Sequence, residues 1–319
     1  MKENKILIID AHNAFIRSYV VDPSETSDGQ PNGGYKGFMK QIQRYLKEAE
    51  PDEVYVVWDG TGGSKKRRAV NKQYKEGRKP VNPLGRPEMS PEEKAKNRLW
   101  QVRTLISHLD LTPVRQLMVN DIEADDVIAI LAKAEEYRND FKIILSNDKD
   151  FYQLLDSKTI VWRPGTDRMM TTKDVVEDFS IHPHNMTIAR SLVGDTSDNL
   201  PGVKGMGLKS VVKFFPEARN PERITLDEVF SKGSVISGKY KVIDALLESE
   251  EIVRSNYRIM QLQTPEVTEE HTNIIQSSID SERSTFKKIL FDAYVYKHEL
   301  DDVRWDFMRS YFEKLGTKT

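Results

Sequence analysis

Short apolar runs, separated by longer stretches of helical period, set the pattern of this chain. Residues 5–9 (KILII), 53–58 (EVYVVW), 142–145 (KIIL) and 159–162 (TIVW) are brief and rich in β-branched residues, and 114–119 supply a further candidate. They do not alternate apolar with polar, which fits strands covered on both faces. Between them, Phe38, Ile42, Tyr45 and Leu46 share one side of a helix predicted over 37–49. Leu99, Val102, Ile106 and Leu109 do the same over 93–109, and Val127, Ile130, Leu131 and Ala134 over 126–137. Strands alternating with helices predict an α/β fold with a mainly parallel central sheet flanked by helices. Beyond about residue 185 the strand signals fade, and helices are predicted at 207–215, 240–256, 283–293 and 302–315. The expected organisation is an α/β domain over 1–184 and a mostly helical region over 185–319. Residues 22–35 are turn-rich, and 76–92 carry four prolines; both read as loops.

Composition narrows the class. Of 319 residues, 31% are charged and 38% hydrophobic, which suits a soluble globular chain. There is no cysteine, which excludes disulfides and thiolate zinc sites. The N-terminal apolar run is too short for a signal peptide, and no apolar stretch approaches the length that spans a bilayer. The expectation is a cytoplasmic monomer without membrane contact. Net charge is −2, yet residues 65–79 (KKRRAVNKQYKEGRK) hold eight Lys/Arg and one Glu. Such a local basic segment is either a solvated loop or a footprint for phosphates.

Acids recur where strands end. Asp10 closes LIID, Asp59 follows VVW, and Asp148 and Asp150 follow KIIL in SNDKD. A single aspartate there reads most simply as a helix cap. In open parallel sheets, however, the carboxyl ends of strands converge on one edge, where sites form. DIEADDV adds Glu123, Asp125 and Asp126 at a helix start. Acids in a first helical turn favour the macrodipole, but three carboxylates in four residues exceed that need. Like charges about 4 Å apart repel by roughly 1 kcal/mol in water and several times more near a protein surface. A converged cluster therefore needs cations, and an all-oxygen set without cysteine points to Mg²⁺ or Mn²⁺. DKDFYQLLD lacks the glycine of an EF-hand loop, and Ala11–His12 after Asp10 departs from the D-x-D start of haloacid-dehalogenase-type phosphatases.

Residues 194–212, GDTSDNLPGVKGMGLKSVV, add Asp195 and Asp198 and then a glycine turn opening a helix near 207. Backbone N–H groups at such a turn bind phosphate oxygens without reading sequence. Taken in order, Asp10, Asp59, the basic R-x6-YK-x2-R, EADD, SNDKD and GDTSDNLPGVKGMGLK resemble the structure-specific 5′-nuclease (flap endonuclease) superfamily. The likeness covers roughly residues 5–215 and is greatest to the stand-alone phage 5′-exonucleases and phage ribonuclease H. Members of that family hold two divalent metal ions. By resemblance, Asp10, Asp59, Glu123 and Asp125 would serve mainly the first, and Asp148, Asp150 and Asp195 mainly the second. Asp126 and Asp198 would act through water. The basic stretch matches the family's arch segment, about 62–98. There, Arg67, Lys75 and Arg78 would neutralise the scissile phosphate and Tyr74 would contact the strand, while Arg17, after Asp10, would hold the nucleotide beside the cut. Lys66 departs from the phenylalanine common before that arginine, which bears on how the arch base packs. The turn resembles a helix-hairpin-helix element gripping duplex phosphates through Lys204, Gly205, Gly207 and Lys209. Carbonyls of Gly202, Val203 and Met206 would hold K⁺.

The implied activity is two-metal phosphodiester hydrolysis on DNA with a 5′ flap, nick or 5′ end, or on RNA/DNA hybrids, during replication. A single-strand-binding protein or sliding clamp is the implied partner. Two other readings are a single-strand ribonuclease with a similar acidic core and a non-catalytic DNA-binding protein. The first gives no reason for the duplex-gripping turn, and the second leaves the acids to repel DNA.

Overall fold

The computed structural model describes residues 3–78, 82 and 88–316. Its strands are β1 (Lys5–Asp10), β2 (Glu53–Trp58), β3 (Arg115–Met118), β4 (Phe141–Leu145), β5 (Thr159–Arg163) and β6 (Arg168–Met170). They form one sheet in the order β3-β2-β1-β4-β5-β6. The first five pair in parallel, and β6 returns antiparallel to β5. The five apolar runs thus became strands as predicted. β6 was not foreseen, because three residues after a tight turn carry no readable period.

From β1 the chain steps outward to β2 and β3, then crosses back so that β4 pairs with the free edge of β1. The stepping direction reverses there, and a reversal opens a crevice outside the carboxyl ends of the two strands. Asp10 is the last residue of β1, and Asp148 lies just beyond β4.

The helices are α1 (Ala11–Val21), α2 (Gly33–Ala49), α3 (Lys65–Val70), α4 (Pro91–Leu109), α5 (Ala124–Lys133), α6 (Thr172–Phe179) and α7 (Met186–Val193). Then come α8 (Leu208–Phe214), α9 (Leu226–Val235), α10 (Lys241–Glu248), α11 (Glu250–Met260), α12 (Glu269–Asp280), α13 (Lys288–Lys297) and α14 (Asp306–Gly316). The side-chain period of two sends Ile6, Ile8, Tyr55, Val57 and Ile144 to one face, where they pack with α5 through α12. Leu7, Ile9, Val54, Val56 and Leu145 meet α1, α2 and α4 on the other face, together with the returning α13 and α14. Each core therefore draws on residues from both sides of position 184. Ile8 is fully buried, so Ile8→Ala would cost about 2–5 kcal/mol through lost contacts and a cavity. The sheet is accordingly a stiff platform for its edge.

Several helix bounds differ from expectation. The loop at 22–35 ends earlier, because α2 starts at Gly33. A Cβ on Gly33 would lie 1.9 Å from the Asp22 carbonyl oxygen, so only glycine permits that approach of α2 to α1. The helix predicted over 240–256 is two helices broken at Ser249, whose hydroxyl bonds the Ala245 carbonyl at 2.7 Å and competes with the helical ladder. The helix predicted at 283–293 begins only at Lys288, and α9 and α12 were not anticipated. Part of the expected arch, 79–81 and 83–87, lies outside the described residues.

Candidate active site

The acids reach the crevice because strand ends and helix starts meet there. Asp10 caps α1: one carboxylate oxygen accepts the Asn13 N–H at 3.1 Å, and the other accepts the Ser146 hydroxyl at 2.8 Å. Asp59, past β2, accepts the Ala124 N–H at 3.0 Å and so ties that strand end to the start of α5. This places the Glu123–Asp126 turn beside β1. Asp148 caps a 3-10 turn, Lys149–Leu154, by accepting the Asp150 N–H at 2.8 Å. Capping and ligation are therefore compatible here, because a cap occupies only one carboxylate oxygen. Gln153 fixes this turn: its amide donates to the Asp150 and Met260 carbonyls at 2.9 Å each and accepts from Thr187 and Leu262. Phe151, Leu154 and Leu155 pack into the core.

The carboxylates feel one another. Burial pushes Asp10 up to about 7, with Asp59 and Asp148 adding to the rise. Asp125 lies well above the usual carboxylate range through burial and the charges of Asp148 and Asp10. Asp150 rises to about 7 through burial and Asp148, against the pull of Arg190. Asp125, Asp150, Asp195 and Asp198 line a narrow cleft with Arg67 and Tyr74.

Four cations also reach into this cluster. Arg67, on α3, donates to Glu123 at 2.8 Å and to both oxygens of Asp126 at 3.0 Å, and its Nε bonds the Ile259 carbonyl at 3.0 Å. Burial opposes its charge, but Asp126 and Glu123 raise its pKa. One oxygen of Glu123 accepts from Arg67, from the Tyr74 hydroxyl at 3.0 Å and from Lys75 at 2.8 Å. Lys75 sits in the left-handed region at φ +58°, and its N–H bonds the Asp198 carbonyl at 2.9 Å. Such a conformation costs about 1 kcal/mol in a residue with a Cβ. Arg78 pairs with the Asp198 carboxylate. Arg190, on α7, pairs with Asp150 and bonds Asp195 at 2.6 Å.

The sequence-predicted residues thus assemble, but not all as expected. Tyr74, expected to contact the strand, is 3% exposed, and Arg67 and Lys75 face acids. The physical reason is Glu123, at 3% exposure: a buried carboxylate must gather donors. Among the described residues no three Asp, Glu or His groups stand as a ready-made metal-holding cluster, so the nine predicted acids do not form one as they stand. The donor set nonetheless fits hard divalent ions. Three acids are pushed toward neutrality by burial and mutual charge. Among the described residues, Asp59, Asp148 and Asp150 each keep one oxygen that accepts no hydrogen bond, and Asp125 keeps both. Arg17 is half-buried on α1.

In the glycine turn, a Cβ on Gly202 would lie 1.9 Å from the Val193 carbonyl oxygen, and Gly205 has φ +81°. Val203 and Met206 are buried, whereas Lys204, Gly205, Gly207 and Lys209 are exposed. The Val203 carbonyl, expected to face K⁺, accepts the Met206 N–H at 2.9 Å. Reading the sequence missed Arg190, Ser146 and Ser197; a lone arginine or serine gives no periodic or motif signal.

The crevice thus gathers acids and cations at the carboxyl edge of the sheet. The chain matches the N-terminal, resolvase-like domain of 5′-3′ exonucleases over residues 5–180, and belongs to that family. It is 35% identical to the thermostable DNA polymerase I of Thermus thermophilus over 230 residues, 71% of this chain and 26% of that one. The chain thus spans about a quarter of the length of the polymerases it matches. Flap endonuclease Xni of Shewanella halifaxensis is 30% identical over 263 residues, 82% of this chain and 94% of that one. Among solved structures, the T5 D15 protein co-crystallised with metal ions has a TM-score of 0.67 at 19% identity, covering 93% of this chain and 98% of that one. At that identity the likeness concerns the fold.

Proposed function

We propose that this protein is a divalent-metal-dependent 5′-nuclease, a 5′-to-3′ exonuclease and flap endonuclease that removes RNA primers or flaps during replication in the cytoplasm. The carrying observation is the set of buried, mutually raised carboxylates at the β1/β4 reversal, bordered by basic side chains of the arch. Asp10, Asp59, Glu123 and Asp125 would hold one Mg²⁺ or Mn²⁺, and Asp148, Asp150 and Asp195 the other. When bound, such ions lower the pKa of a water and neutralise charge on a leaving oxygen.

The chain's own groups prepare the rest. Ser146 and Asn13 orient Asp10, so its carboxylate does not swing on binding. Lys75 and Arg78 exchange their carboxylate partners for phosphoryl oxygens when the substrate enters, at little cost because both ends of the exchange are charge-assisted. Arg67 stays with Glu123 and Asp126 and fixes the arch base. Lys204 and Lys209, with backbone N–H groups of the turn at Gly205 and Gly207, hold duplex phosphates. The Gly202, Val203 and Met206 carbonyls would hold K⁺, which would supply positive charge toward a duplex phosphate. Arg17 touches the strand beside the cut. Ribonuclease H-type activity follows if the turn grips a DNA strand while RNA enters the arch. A single-strand-binding protein or sliding clamp would bind the helical C-terminal region.

The test uses end-labelled 5′-flap substrates with DNA and RNA flaps, assayed with Mg²⁺ or Mn²⁺. Products with 5′-phosphate and 3′-hydroxyl ends are expected. Absence of cleavage with either ion would remove the enzyme reading.

A further inference from the structure

Arg190 is a buried cation to which the proposed chemistry gives no contact with substrate. Its side chain is 14% exposed and ends on two acids that belong to separate segments. Nε meets Asp150, on the 3-10 turn after β4. Nη2 meets one oxygen of Asp195, 2.6 Å away, on the turn after α7. The other oxygen of Asp195 accepts the Ser197 N–H at 2.8 Å and its hydroxyl at 2.6 Å. Arg190 is anchored at its backbone as well, since its carbonyl accepts the Gly194 N–H at 2.7 Å. Gly194, at φ +80°, is packed so tightly on Gly202 that the turn presenting Asp195 has one course. Asn256 closes the base of α7 by donating to the Ser191 and Pro201 carbonyls at 3.1 and 2.8 Å.

We infer that Arg190 is a positioning residue: its guanidinium holds Asp150 and Asp195 at a fixed separation and orientation, and so presets the carboxylates for the second divalent ion. This rests on the nuclease reading above. A guanidinium suits the task better than an ammonium, because its planar fork fixes two carboxylates at once, whereas an ammonium is a point charge. Asp150 keeps an oxygen that takes no hydrogen bond among the described residues, so Arg190 orients it without consuming it. Asp195 is held on both oxygens: the one that meets Ser197 takes two donors, and the one that meets Arg190 takes a single donor and keeps a further lone pair. A cation that merely filled the space of a metal ion would be displaced by it; a positioning cation stays.

Mn²⁺ binding to the full chain, followed by electron paramagnetic resonance and calorimetry, separates the two. Groups that orient metal ligands typically change affinity by about 10–100-fold when removed. R190M should therefore weaken one Mn²⁺ site by about tenfold or more and leave the other within about threefold. At saturating Mn²⁺, cleavage by R190M should return toward the wild-type rate. R190K guards against a misfolded R190M; it keeps the charge but not the fork, and should weaken the same site by several-fold. Unchanged or tighter Mn²⁺ binding in R190M, or wild-type affinity in R190K, would overturn the inference. A wild-type chain that binds Mn²⁺ at two sites but cuts no flap would remove the nuclease reading and leave the positioning role intact.

Discussion

Two arginine forks border the carboxylate cluster, and they differ in what they join. Arg67 comes from the arch base and lands on Glu123 and Asp126, three residues apart on one helix start. Arg190 comes from the helical region and lands on Asp150 and Asp195, on two separate segments. The first fork fastens the start of the basic segment to the core. The second sets a distance between ligands. Between them lie Asp10, Asp59, Asp125 and Asp148, which pair with no cation among the described residues. Each fork fixes the acids it meets, whereas the acids between the forks have no paired cation among the described residues to offset their mutual repulsion.

Changes between the forks should have the largest effect. Asp148→Ala removes a ligand oxygen and should lower flap cleavage by at least about 10³, since metal ions supply several kcal/mol at the transition state. DNA binding, measured by anisotropy in Ca²⁺, should persist. Normal cutting by this variant would break the division between open and paired acids. Lys75→Ala removes a cation that changes partner, and should lower kcat by about 10²–10³ with Mn²⁺ affinity retained. A loss confined to KM would instead make Lys75 a binding group.

Breaking the first fork should act on stability. Arg67, Glu123 and Asp126 are largely buried, at 10%, 4% and 13% side-chain exposure. Arg67→Ala would leave two acids without their partner and cost about 3–5 kcal/mol in denaturant unfolding. A change under about 1 kcal/mol would show that the fork does not carry the arch base.

pH sharpens the same contrast. Asp10 and Asp150 titrate near 7 in the folded chain, above the ~4 of an unfolded aspartate. The folded chain then holds more protons between those values, so without metal it loses stability as pH rises from about 4 to 7. Divalent ions bind the deprotonated acids. The gain in Tm on adding Mn²⁺ should be slight at pH 5.5 and larger at pH 8; an equal gain at both would contradict the raised carboxylates. The smallest effects belong to Lys204→Ala and Lys209→Ala. Each should reduce the slope of log affinity against log salt by about one, without changing cleavage at saturation.

Much of this was legible beforehand for reasons tied to particular residues. KILII, EVYVVW and KIIL are apolar at successive positions because both sheet faces are covered, and the acids behind them had nowhere to go but the carboxyl edge. The glycines at 202 and 205 were legible because close approach and positive φ leave few alternatives. What stayed hidden were partners without period or motif. Arg190 reads as one polar residue on a short helix, and only the fold brings Asp150 to it from 40 positions away. Tyr74 reads as an exposed aromatic in a basic loop, and only the burial of Glu123 turns it inward. β6 and α12 were hidden by their shortness or their polar sequence.

The most direct measurement is the number of Mn²⁺ ions bound at pH 8 by the wild type, Asp125→Asn and Asp126→Asn. Asp125 is open and buried among like charges, and Asp126 is closed by Arg67. Two ions are expected for the wild type, one fewer for Asp125→Asn, and two for Asp126→Asn with a lower unfolding midpoint. Loss of an ion in Asp126→Asn, with both retained in Asp125→Asn, would contradict the account.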